Sequence, residues 1–406
     1  MLEKPEEWAD EILNYVGNVP NKEHAVVIDA GSTGSRVLAF TFHRHPLSGI
    51  AMVKTKPAII LVFKTWKLIP GGLILEDELW QEKKPGLSSY ASEPAEGAAS
   101  ISSLLDLAKE RIPKAAWSRT PVTLRATAGL RLLPQAQSEA LISAVKNTLD
   151  TSGFVNEGVD IMSELDEGVF GWLTVNYLLH ALDQPADSYV ALDLGGGSTQ
   201  ITFAPRDQAT LETSPPSYLH SASVFGREQT LYTHSYLGAG LMAAREGVFR
   251  LNDPSEATSI ASACVVGEEE VEYRKFKVKR EKKVGSNACM DEVKQFLGSV
   301  GIDQSKELPA RKTVAFSYFY DRAVDAGLLK KGENGIVTVQ QLLQAAAQAC
   351  DKPDPASPFL CLDLTFISGL LHHGYQLPPS AELGLYKKID GHETSWALGA
   401  AFQLIN

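Results

Sequence analysis

The strongest constraint in the sequence is a pattern that occurs twice. Each copy consists of an apolar segment ending in Asp, a turn of Gly, Ser and Thr residues, and a second apolar segment. The first copy occupies residues 25–42 and the second occupies residues 189–203. Their aspartates, Asp29 and Asp193, are 164 residues apart, a separation of domain size. The pattern predicts a duplicated architecture in which each half contributes one strand–turn–strand loop.

Strand-like and helix-like segments alternate along the rest of the chain, which predicts an α/β fold. A charge run over residues 265–285 indicates a solvated hairpin or loop. The stretch over residues 50–76 has no function that we can assign. The other predicted elements are helices over residues 6–16, 94–112, 169–179 and 339–350, a strand over residues 122–127, and a capped helix over residues 393–402.

Composition restricts the ligands that such a fold can bind. The chain has 406 residues, of which 44% are hydrophobic and 21% are charged, as in an ordinary globular protein with two or three cores. Its formal net charge of −11 provides no basic field that would attract nucleic acid or an anionic membrane. A phosphate ligand must therefore be captured locally, by backbone donors and a cation.

The longest apolar run, Ala58–Phe63, is far shorter than the roughly 20 residues that cross a bilayer. The charged residues that follow Met1 do not form a signal peptide. We expect a soluble monomer with no membrane span, and neither a leader nor an anchor within this chain.

The two Gly/Ser/Thr turns are suited to binding phosphate, because consecutive backbone N–H groups are exposed where side chains are short or absent. An Asp at the end of each entry strand can hold the hydration shell of a divalent cation, which predicts outer-sphere metal roles for Asp29 and Asp193. Either turn alone is more often a plain turn, and the argument depends on the pair. The predicted phosphate-binding residues are Gly31, Ser32, Thr33, Gly34, Ser35, Arg36, Thr127, Gly195, Gly196, Gly197, Ser198 and Thr199.

Hydrolysis also requires a water molecule that is oriented and deprotonated. Ser198 and Gln200 project from one face of an extended segment, where both can hold a water molecule. Glu167, at the start of a predicted helix, is the candidate general base; its alternative role is to stabilise the helix dipole. Thr127 is a candidate phosphate or water ligand that could equally be an ordinary residue at a strand end.

The four cysteines, Cys264, Cys289, Cys350 and Cys361, all lie in the second half of the chain. Their even number and clustering favour two disulfides, and four buried free thiols in a cytosolic protein remain the alternative. No Cys-x-x-Cys pair or zinc-ligand spacing occurs among them.

Five segments in this chain resemble the five apyrase-conserved regions of the ectonucleoside triphosphate diphosphohydrolase family. They occur in the family's order and span the chain from about residue 25 to residue 402, and the details are most similar to the soluble types 5 and 6. Gly197 stands where relatives usually have Ala. The five segments that resemble the conserved regions are Ile28–Arg36, Arg125–Arg131, Asp166–Tyr177, Leu192–Phe203 and Asp363–Ile367.

The resemblance implies an actin-like (ribonuclease H-like) two-lobe fold with the nucleotide in the cleft between the lobes. The implied lobes comprise residues 1–162 with 384–406, and residues 163–383. The implied activity is Ca²⁺- or Mg²⁺-dependent hydrolysis of the terminal phosphate of nucleoside diphosphates, with UDP, GDP and IDP preferred and triphosphates cleaved more weakly.

The resemblance also implies residue roles. Glu167 matches the base, Ser198 and Gln200 the water-binding pair, and Tyr320 an aromatic residue that stacks on the nucleobase. Implied disulfides join Cys264 to Cys289 and Cys350 to Cys361, which favours a secretory-pathway lumen (endoplasmic reticulum or Golgi) or secretion.

Other functions remain open from the sequence alone. A broad-specificity apyrase acting on ATP and ADP is the nearest alternative. A nucleotide-gated binding protein of the same superfamily, such as a heat-shock chaperone, would need a peptide-binding domain after the nucleotide module. A sugar kinase would transfer phosphate to a hydroxyl group, whereas Ser198, Gln200 and Glu167 point to water.

Overall fold

The computed structural model describes most of the chain. The helix predicted over residues 6–16, and the stretch over residues 50–76 except for its last four residues, lie outside the described part. The described residues are 22–44, 73–184, 187–251, 258–267, 270–274, 276–281 and 286–405.

A five-stranded sheet, in the order β3-β2-β1-β4-β5, forms the centre of the first lobe. Side chains on alternate residues of its central strand enter different cores: Val26 and Ile28 pack with the helices on one face, and Ala25 and Val27 pack on the other. A strand buried on both faces reads as a continuous apolar run, as this one does. The strands are β1 Glu23–Ala30, β2 Ser35–Arg44, β3 Leu73–Lys83, β4 Pro121–Ala126 and β5 Val155–Ile161.

A seven-stranded sheet, in the order β14-β15-β13-β6-β7-β9-β8, forms the centre of the second lobe. A small three-stranded sheet, in the order β10-β12-β11, and a two-stranded ribbon of β16 and β17 accompany it. The strands are β6 Val190–Leu194, β7 Ser198–Phe203, β8 Leu219–Val224, β9 Arg227–Leu237, β10 Ser259–Ser262, β11 Glu270–Tyr273, β12 Phe276–Arg280, β13 Thr313–Ser317, β14 Gly335–Thr338, β15 Glu382–Leu385, β16 Lys388–Ile389 and β17 His392–Glu393.

Helices pack against both sheets. Those of the first lobe are α1 Pro94–Arg111, α2 Ala128–Arg131 and α3 Gln135–Asp150. The remaining helices are α4 Glu164–Leu178, α5 Gln208–Thr213, α6 Leu241–Phe249, α7 Ser286–Val300, α8 Tyr318–Asp325, α9 Val339–Asp351, α10 Leu360–Gly369 and α11 Ala397–Ile405. The predicted helices over residues 94–112, 169–179 and 339–350 correspond to α1, α4 and α9.

The duplication predicted from sequence is present in the backbone pairing. β1 and β2 form an antiparallel hairpin in which Asp29 pairs with Arg36, and β6 and β7 form another in which Asp193 pairs with Gln200. The entry strand of each hairpin has a parallel neighbour on its other side, β4 for β1 and β13 for β6. The carboxyl ends of parallel strands lie at one edge of a sheet, so each aspartate is at such an edge.

The C-terminal helix α11 packs against α4 and against β1 of the first lobe. Gly399 makes this approach possible, because a Cβ atom there would lie 2.3 Å from the carbonyl oxygen of Phe170. The Gly399 amide also donates to Thr174 Oγ1 at 2.9 Å.

The prediction that this helix begins at Glu393 was wrong. Glu393 belongs to β17, and its amide donates to a Glu78 oxygen at 3.1 Å. The next amide, that of Thr394, donates to the carbonyl oxygen of Lys387 at 3.0 Å. These long-range bonds hold the backbone outside a helix until Ala397.

The charge run over residues 265–285 contains the antiparallel pair β11 and β12, so the prediction of a solvated hairpin is confirmed for its described residues. Val271 and Val278 face inward, and the Glu and Lys residues that alternate with them are exposed.

Both predicted disulfides are present, one joining Cys264 to Cys289 and the other joining Cys350 to Cys361. Within the described residues, none of the helices has the length and apolar character required to cross a bilayer. The division into lobes at residues 162/163 and 383/384 stays a prediction; the second of these positions falls inside β15, all four residues of which pair in the seven-stranded sheet.

Candidate active site

The two Gly/Ser/Thr loops face each other in direct contact. A Cβ atom added to Gly196 would lie 2.4 Å from Ser32 Oγ and 3.3 Å from Thr33 Cγ2. A residue other than glycine at position 196 would therefore require the Ser32 side chain, or the loop that carries it, to shift. The first loop is packed just as closely on its own lobe, since a Cβ on Gly86 would lie 2.4 Å from the carbonyl oxygen of Gly31.

The two loops also have the same internal geometry. Gly31 donates its amide to the Gly34 carbonyl at 3.0 Å, and Gly195 donates its amide to the Ser198 carbonyl at 3.0 Å. Among the residues that the structure describes, the loop amides of Ser32, Thr33, Gly196 and Gly197 donate no hydrogen bond. Backbone donors grouped in this way form an anion-binding concavity, so the loops present amides that a phosphate chain could bind.

Asp29 and Asp193 are both buried at this junction, with 9% of each residue exposed. Burial raises the pKa of Asp193 to about 6, opposed by a hydrogen bond from Ser317 and reinforced by the charge of Asp29. Burial likewise raises the pKa of Asp29, whereas the Arg36 guanidinium opposes the shift. The two carboxylates therefore belong to one site, in which their negative charges repel each other.

Three buried oxygens at the junction have no hydrogen-bond partner within the described structure: Asp29 Oδ1, Asp193 Oδ1 and Gln200 Oε1. Unpaired buried oxygens are costly, and native proteins pair them with a donor, a water molecule or an ion. Two carboxylates and an amide oxygen are hard ligands of the kind that bind Ca²⁺ or Mg²⁺ directly or through water. The residues present therefore fit a hydrated divalent cation.

Glu167 lies in the first turn of α4, a helix whose start is capped by the Ser163 hydroxyl accepting from the Asp166 amide at 3.0 Å. The side chain is buried and forms an ion pair with Arg131 Nη2. Burial raises the pKa of Glu167 to about 8; Arg131 opposes this shift, and the charges of Asp193 and Asp29 reinforce it. A carboxyl group with its pKa near neutral, facing two further carboxylates, has the properties of a general base.

Glu164 is the extra carboxylate beside this base. Its side chain is 41% exposed and lies 3.3 Å from Arg131 Nη1, so it shares the arginine with Glu167.

Gln200 is held in one orientation by two hydroxyl groups. Its Nε2 donates to Ser198 Oγ at 2.8 Å and to Ser235 Oγ at 2.9 Å, which leaves Oε1 to accept a hydrogen bond. The start of α4 packs beside it, because a Cβ on Gly168 would lie 3.9 Å from Gln200 Cβ. The predicted water-binding pair is thus next to the helix turn that carries Glu167.

Three of the predicted phosphate-binding residues already make hydrogen bonds or ion pairs within the protein. The Arg36 guanidinium bonds Asp29 Oδ2 at 3.2 Å and Glu82 Oε1 at 2.6 Å, so its charge is shared between two carboxylates. Thr127 is buried at the start of α2, where its amide donates to the Ala30 carbonyl at 3.3 Å and joins the ends of β4 and β1. Thr199 donates its hydroxyl to the Asp193 carbonyl oxygen at 2.7 Å, which tightens the second loop.

The geometry opposes the role predicted for Tyr320. This residue is 2% exposed within the core of the second lobe, and its hydroxyl accepts from the Gly332 amide at 2.8 Å. In this arrangement the ring offers almost no surface for a nucleobase, and the stacking role stays a prediction. Tyr318, at the start of the same helix, is half-buried and carries Arg322 over its ring.

Sequence reasoning missed four residues of this site, and the structure assigns them to it through their partners. Arg131 contacts Glu167, Ser235 holds Gln200, Glu82 binds Arg36, and Ser317 acts to lower the pKa of Asp193. Arg131 stands inside a motif that the sequence does display. The other three come from neighbouring strands, and no local pattern marks them.

Two facing amide-rich loops beside a pair of buried aspartates and a buried glutamate form a site suited to binding phosphate, as expected of an actin-like phosphohydrolase. The chain matches the GDA1/CD39 (nucleoside phosphatase) family over residues 17–406, and it belongs to this family.

Named relatives align in sequence with nearly the whole chain. It is 38% identical over 397 residues to "Nucleoside diphosphate phosphatase ENTPD5" of Homo sapiens, covering 94% of this chain and 87% of that protein. It is 39% identical over 416 residues to "Ectonucleoside triphosphate diphosphohydrolase 6" of Mus musculus, covering 98% and 86%. "Nucleoside-diphosphatase uda-1" of Caenorhabditis elegans is 35% identical over 421 residues, covering 96% and 84%.

Solved structures share the fold. A nucleoside triphosphate hydrolase of Neospora caninum superposes with a TM-score of 0.64 at 16% identity, covering 97% of this chain and 95% of that one. A Ppx/GppA family member of Aquifex aeolicus superposes with a TM-score of 0.51 at 13% identity, covering 95% and 98%. Identities this low support the architecture alone.

Proposed function

We propose that this protein hydrolyses the terminal phosphate of nucleoside diphosphates, with UDP, GDP and IDP preferred and nucleoside triphosphates cleaved more weakly. The observation that carries the proposal is the contact between the two amide-rich loops, Gly196 against Ser32, directly beside three buried carboxyl groups. The names of the relatives supply the substrate class, since two of them are described as nucleoside diphosphatases or phosphatases.

In this proposal the phosphate chain lies between the loops and accepts hydrogen bonds from the amides of Ser32, Thr33, Gly196 and Gly197. Asp29 and Asp193 would hold a hydrated Ca²⁺ or Mg²⁺ through their unpaired oxygens. Such a cation, when bound, neutralises the charge that develops on the phosphoryl group.

The attacking water is held by Ser198 and by Gln200 Oε1, which the two hydroxyl contacts to its Nε2 orient towards an incoming donor. Glu167 removes the water's proton as the oxygen attacks phosphorus. The bond from phosphorus to the bridging oxygen breaks, and the products are inorganic phosphate and the nucleotide shortened by one phosphate. Arg131 holds Glu167 in place through the ion pair.

We also propose that the protein acts as a monomer in the lumen of the secretory pathway or after secretion. Two disulfides within a 406-residue chain support this location, because such bonds persist in oxidising compartments.

The test is phosphate release from a panel of nucleoside mono-, di- and triphosphates in the presence of Ca²⁺, Mg²⁺ or EDTA. The expected result is fastest release from UDP, GDP and IDP, none from monophosphates, and loss of turnover in EDTA. Equal rates with monophosphates, or full activity in EDTA, would contradict the proposal.

A further inference from the structure

The start of helix α6 lies against the second Gly/Ser/Thr loop. The amide of Leu241 donates to the Gly195 carbonyl oxygen at 2.9 Å, and the amides of Met242 and Ala243 donate to the Gly196 carbonyl oxygen at 2.9 and 3.0 Å. The first N–H groups of a helix have no acceptor within the helix, and no side chain caps this one. The loop carbonyls therefore take the place of a helix cap.

These hydrogen bonds fix the direction of the amides that the loop presents. In a planar trans peptide unit the C=O and N–H bonds point in opposite directions. The Gly195 carbonyl shares its peptide unit with the Gly196 amide, and the Gly196 carbonyl shares one with the Gly197 amide. Neither of these amides donates a hydrogen bond in the described structure. Both therefore point away from α6, and the position of α6 determines where they point.

The backbone of α6 approaches the loop without any side chain between them. A Cβ atom on Gly240, the residue before the helix, would lie 2.3 Å from the Ser198 nitrogen and 2.5 Å from the Gly197 carbonyl carbon. Backbone atoms cannot rotate out of the way as the end of a side chain can. A displacement of α6 is therefore transmitted to the loop.

A buried ion pair anchors α6 one turn further along. Arg245 donates from Nε to Asp363 Oδ1 at 2.6 Å and from Nη2 to Asp363 Oδ2 at 2.5 Å. Asp363 lies on α10 and is 0% exposed, and Arg322 of α8 donates to the same carboxylate at 3.2 Å. Two parallel bonds from a guanidinium group fix orientation as well as distance. Asp363 also begins the segment Asp363–Ile367, which has no part in the mechanism proposed above.

We propose that Arg245 and Asp363 are positioning residues for the second phosphate loop. Their ion pair fixes α6 against α10, and the first amides of α6 then orient the peptide units whose N–H groups bind the phosphate chain. This inference rests on the proposed function, because it assigns the role through phosphate bound at Gly196 and Gly197.

A second buried ion pair in the same lobe provides the matched control. Arg311 pairs with Glu307, and their side chains are 0% and 2% exposed. Arg311 donates to the carbonyl oxygens of Ala204 and Ser188, which flank the end of the β6–β7 hairpin opposite the loop. Arg245→Met and Arg311→Met should both lower the melting temperature, because each leaves a buried carboxylate without its closest arginine.

The decisive readout is inhibition by inorganic phosphate, measured during hydrolysis of a nucleoside diphosphate. We expect Arg245→Met to raise the phosphate Ki and the substrate KM about tenfold, the effect of losing one hydrogen bond to a charged group. The change in kcat should be smaller, because the loop amides bind the phosphate chain before and during the reaction. Arg245→Lys keeps the charge and should recover part of the loss. Arg311→Met should have the Ki and KM of the wild type.

Gly240→Ala tests the same inference without altering the ion pair, and it decides the matter if Arg245→Met does not fold. Its Cβ would push the start of α6 away from the loop, so it should raise the phosphate Ki in the same way. Gly298→Ala is its control, because a Cβ at that position on α7 meets nothing within 4 Å.

An unchanged phosphate Ki in Gly240→Ala, or in folded Arg245→Met, would overturn the inference. An equal rise in Arg311→Met would also overturn it, since general destabilisation would then account for the effect. Failure of the proposed function is distinguishable, because the wild type itself would then release no phosphate from nucleoside diphosphates.

Discussion

Glu167 and Glu164 both contact Arg131, but only Glu167 is buried among the other carboxyl groups. We expect Glu167→Gln to lower kcat by roughly 10²-fold or more, because an amide cannot accept the proton of the attacking water. Glu164→Gln is the matched control, one helical turn away and 41% exposed, and it should retain activity within a few-fold. Phosphate-release kinetics measure both. Full activity of Glu167→Gln would remove this residue from the mechanism.

The raised pKa of Glu167 predicts an unusual acid limb in the pH profile. The base must be ionised, so kcat/KM falls as pH decreases through the folded pKa, which lies above the ordinary value of 4.5. A bound divalent cation would lower the pKa of Glu167 and so move this limb towards lower pH. Arg131→Gln removes the charge that opposes the shift, so it should move the limb to higher pH.

Arg125→Gln is the control for this pH profile, because Arg125 pairs with Asp160 on the surface at 3.0 Å. Its profile should match that of the wild type. A wild-type acid limb at or below 4.5, or no movement of the limb in Arg131→Gln, would contradict the electrostatic account of Glu167.

Residues that lie within one motif were predictable, and residues that reach the site from elsewhere were not. Asp29, Asp193, Ser198 and Gln200 follow from strand–turn–strand chemistry, and the structure brings them together. Ser235 meets Gln200 only through the pairing of β7 with β9. The exposure of a side chain on an amphipathic helix is equally hidden, so the sequence did not indicate that Tyr320 is 2% exposed.

At the scale of structural elements, the contact between the two loops predicts the effect of a substitution at Gly196. A methyl group at this position would lie 2.4 Å from Ser32 Oγ on the opposite lobe, so Gly196→Ala should push the loops apart. We expect at least a tenfold loss of kcat/KM, since misplacement of reacting groups by about 1 Å can lower a rate 10²-fold. The melting temperature should change little, because the substitution lies in the loops and leaves the hydrophobic clusters of both sheets intact.

Gly195→Ala is the control, since its Cβ would meet only the Ser198 carbonyl oxygen of its own loop, at 3.2 Å. It should retain more activity than Gly196→Ala. The reverse order would mean that contact between the loops is not what glycine provides at position 196.

Helices and buried strands were predictable as elements because their apolar periodicity is strong. The ends of elements were not, wherever distant groups set them. Glu393 and Thr394 closely precede the apolar residues of α11 in the sequence. Their amides nevertheless donate hydrogen bonds to Glu78 and to the Lys387 carbonyl oxygen, which keeps them extended. Glu78 is 315 residues away in the sequence, and the local pattern does not reveal the hydrogen bond to Lys387.

At the scale of the whole molecule, the repeated pattern predicted the duplicated fold, and the two hairpins have matching neighbours. The repeat did not predict that the first sheet has five strands and the second has seven. The additional strands of the second sheet, such as β8 and β14, pair at its edges and have no counterpart in the repeat.

Both disulfides lie in the second lobe, where they should contribute to its stability. Replacing Cys264 and Cys289 together by Ala should lower the free energy of unfolding by about 3 kcal/mol, because the unfolded chain regains the freedom of a closed loop. Replacing Cys350 and Cys361 together should cost somewhat less, since the sequence separation is 11 rather than 25 residues.

Calorimetric unfolding without reductant checks both double variants, and the wild type with reductant should be less stable than either of them. Non-reducing peptide mapping should recover the two pairs directly. Four free thiols in the purified protein, or double variants as stable as the wild type, would contradict the assignment.

The crossing of α4 and α11 bears on how the molecule moves. Glu167 stands at the beginning of α4, and the contact between Gly399 and Phe170 fastens that same helix to the chain's last segment, one turn further on. Because α4 and α11 cross at this one contact, the contact can serve as a pivot between the two lobes. If the two lobes separate to admit a nucleotide, we expect Glu167 to move less than the Gly196 loop, because α11 holds the start of α4 at Gly399.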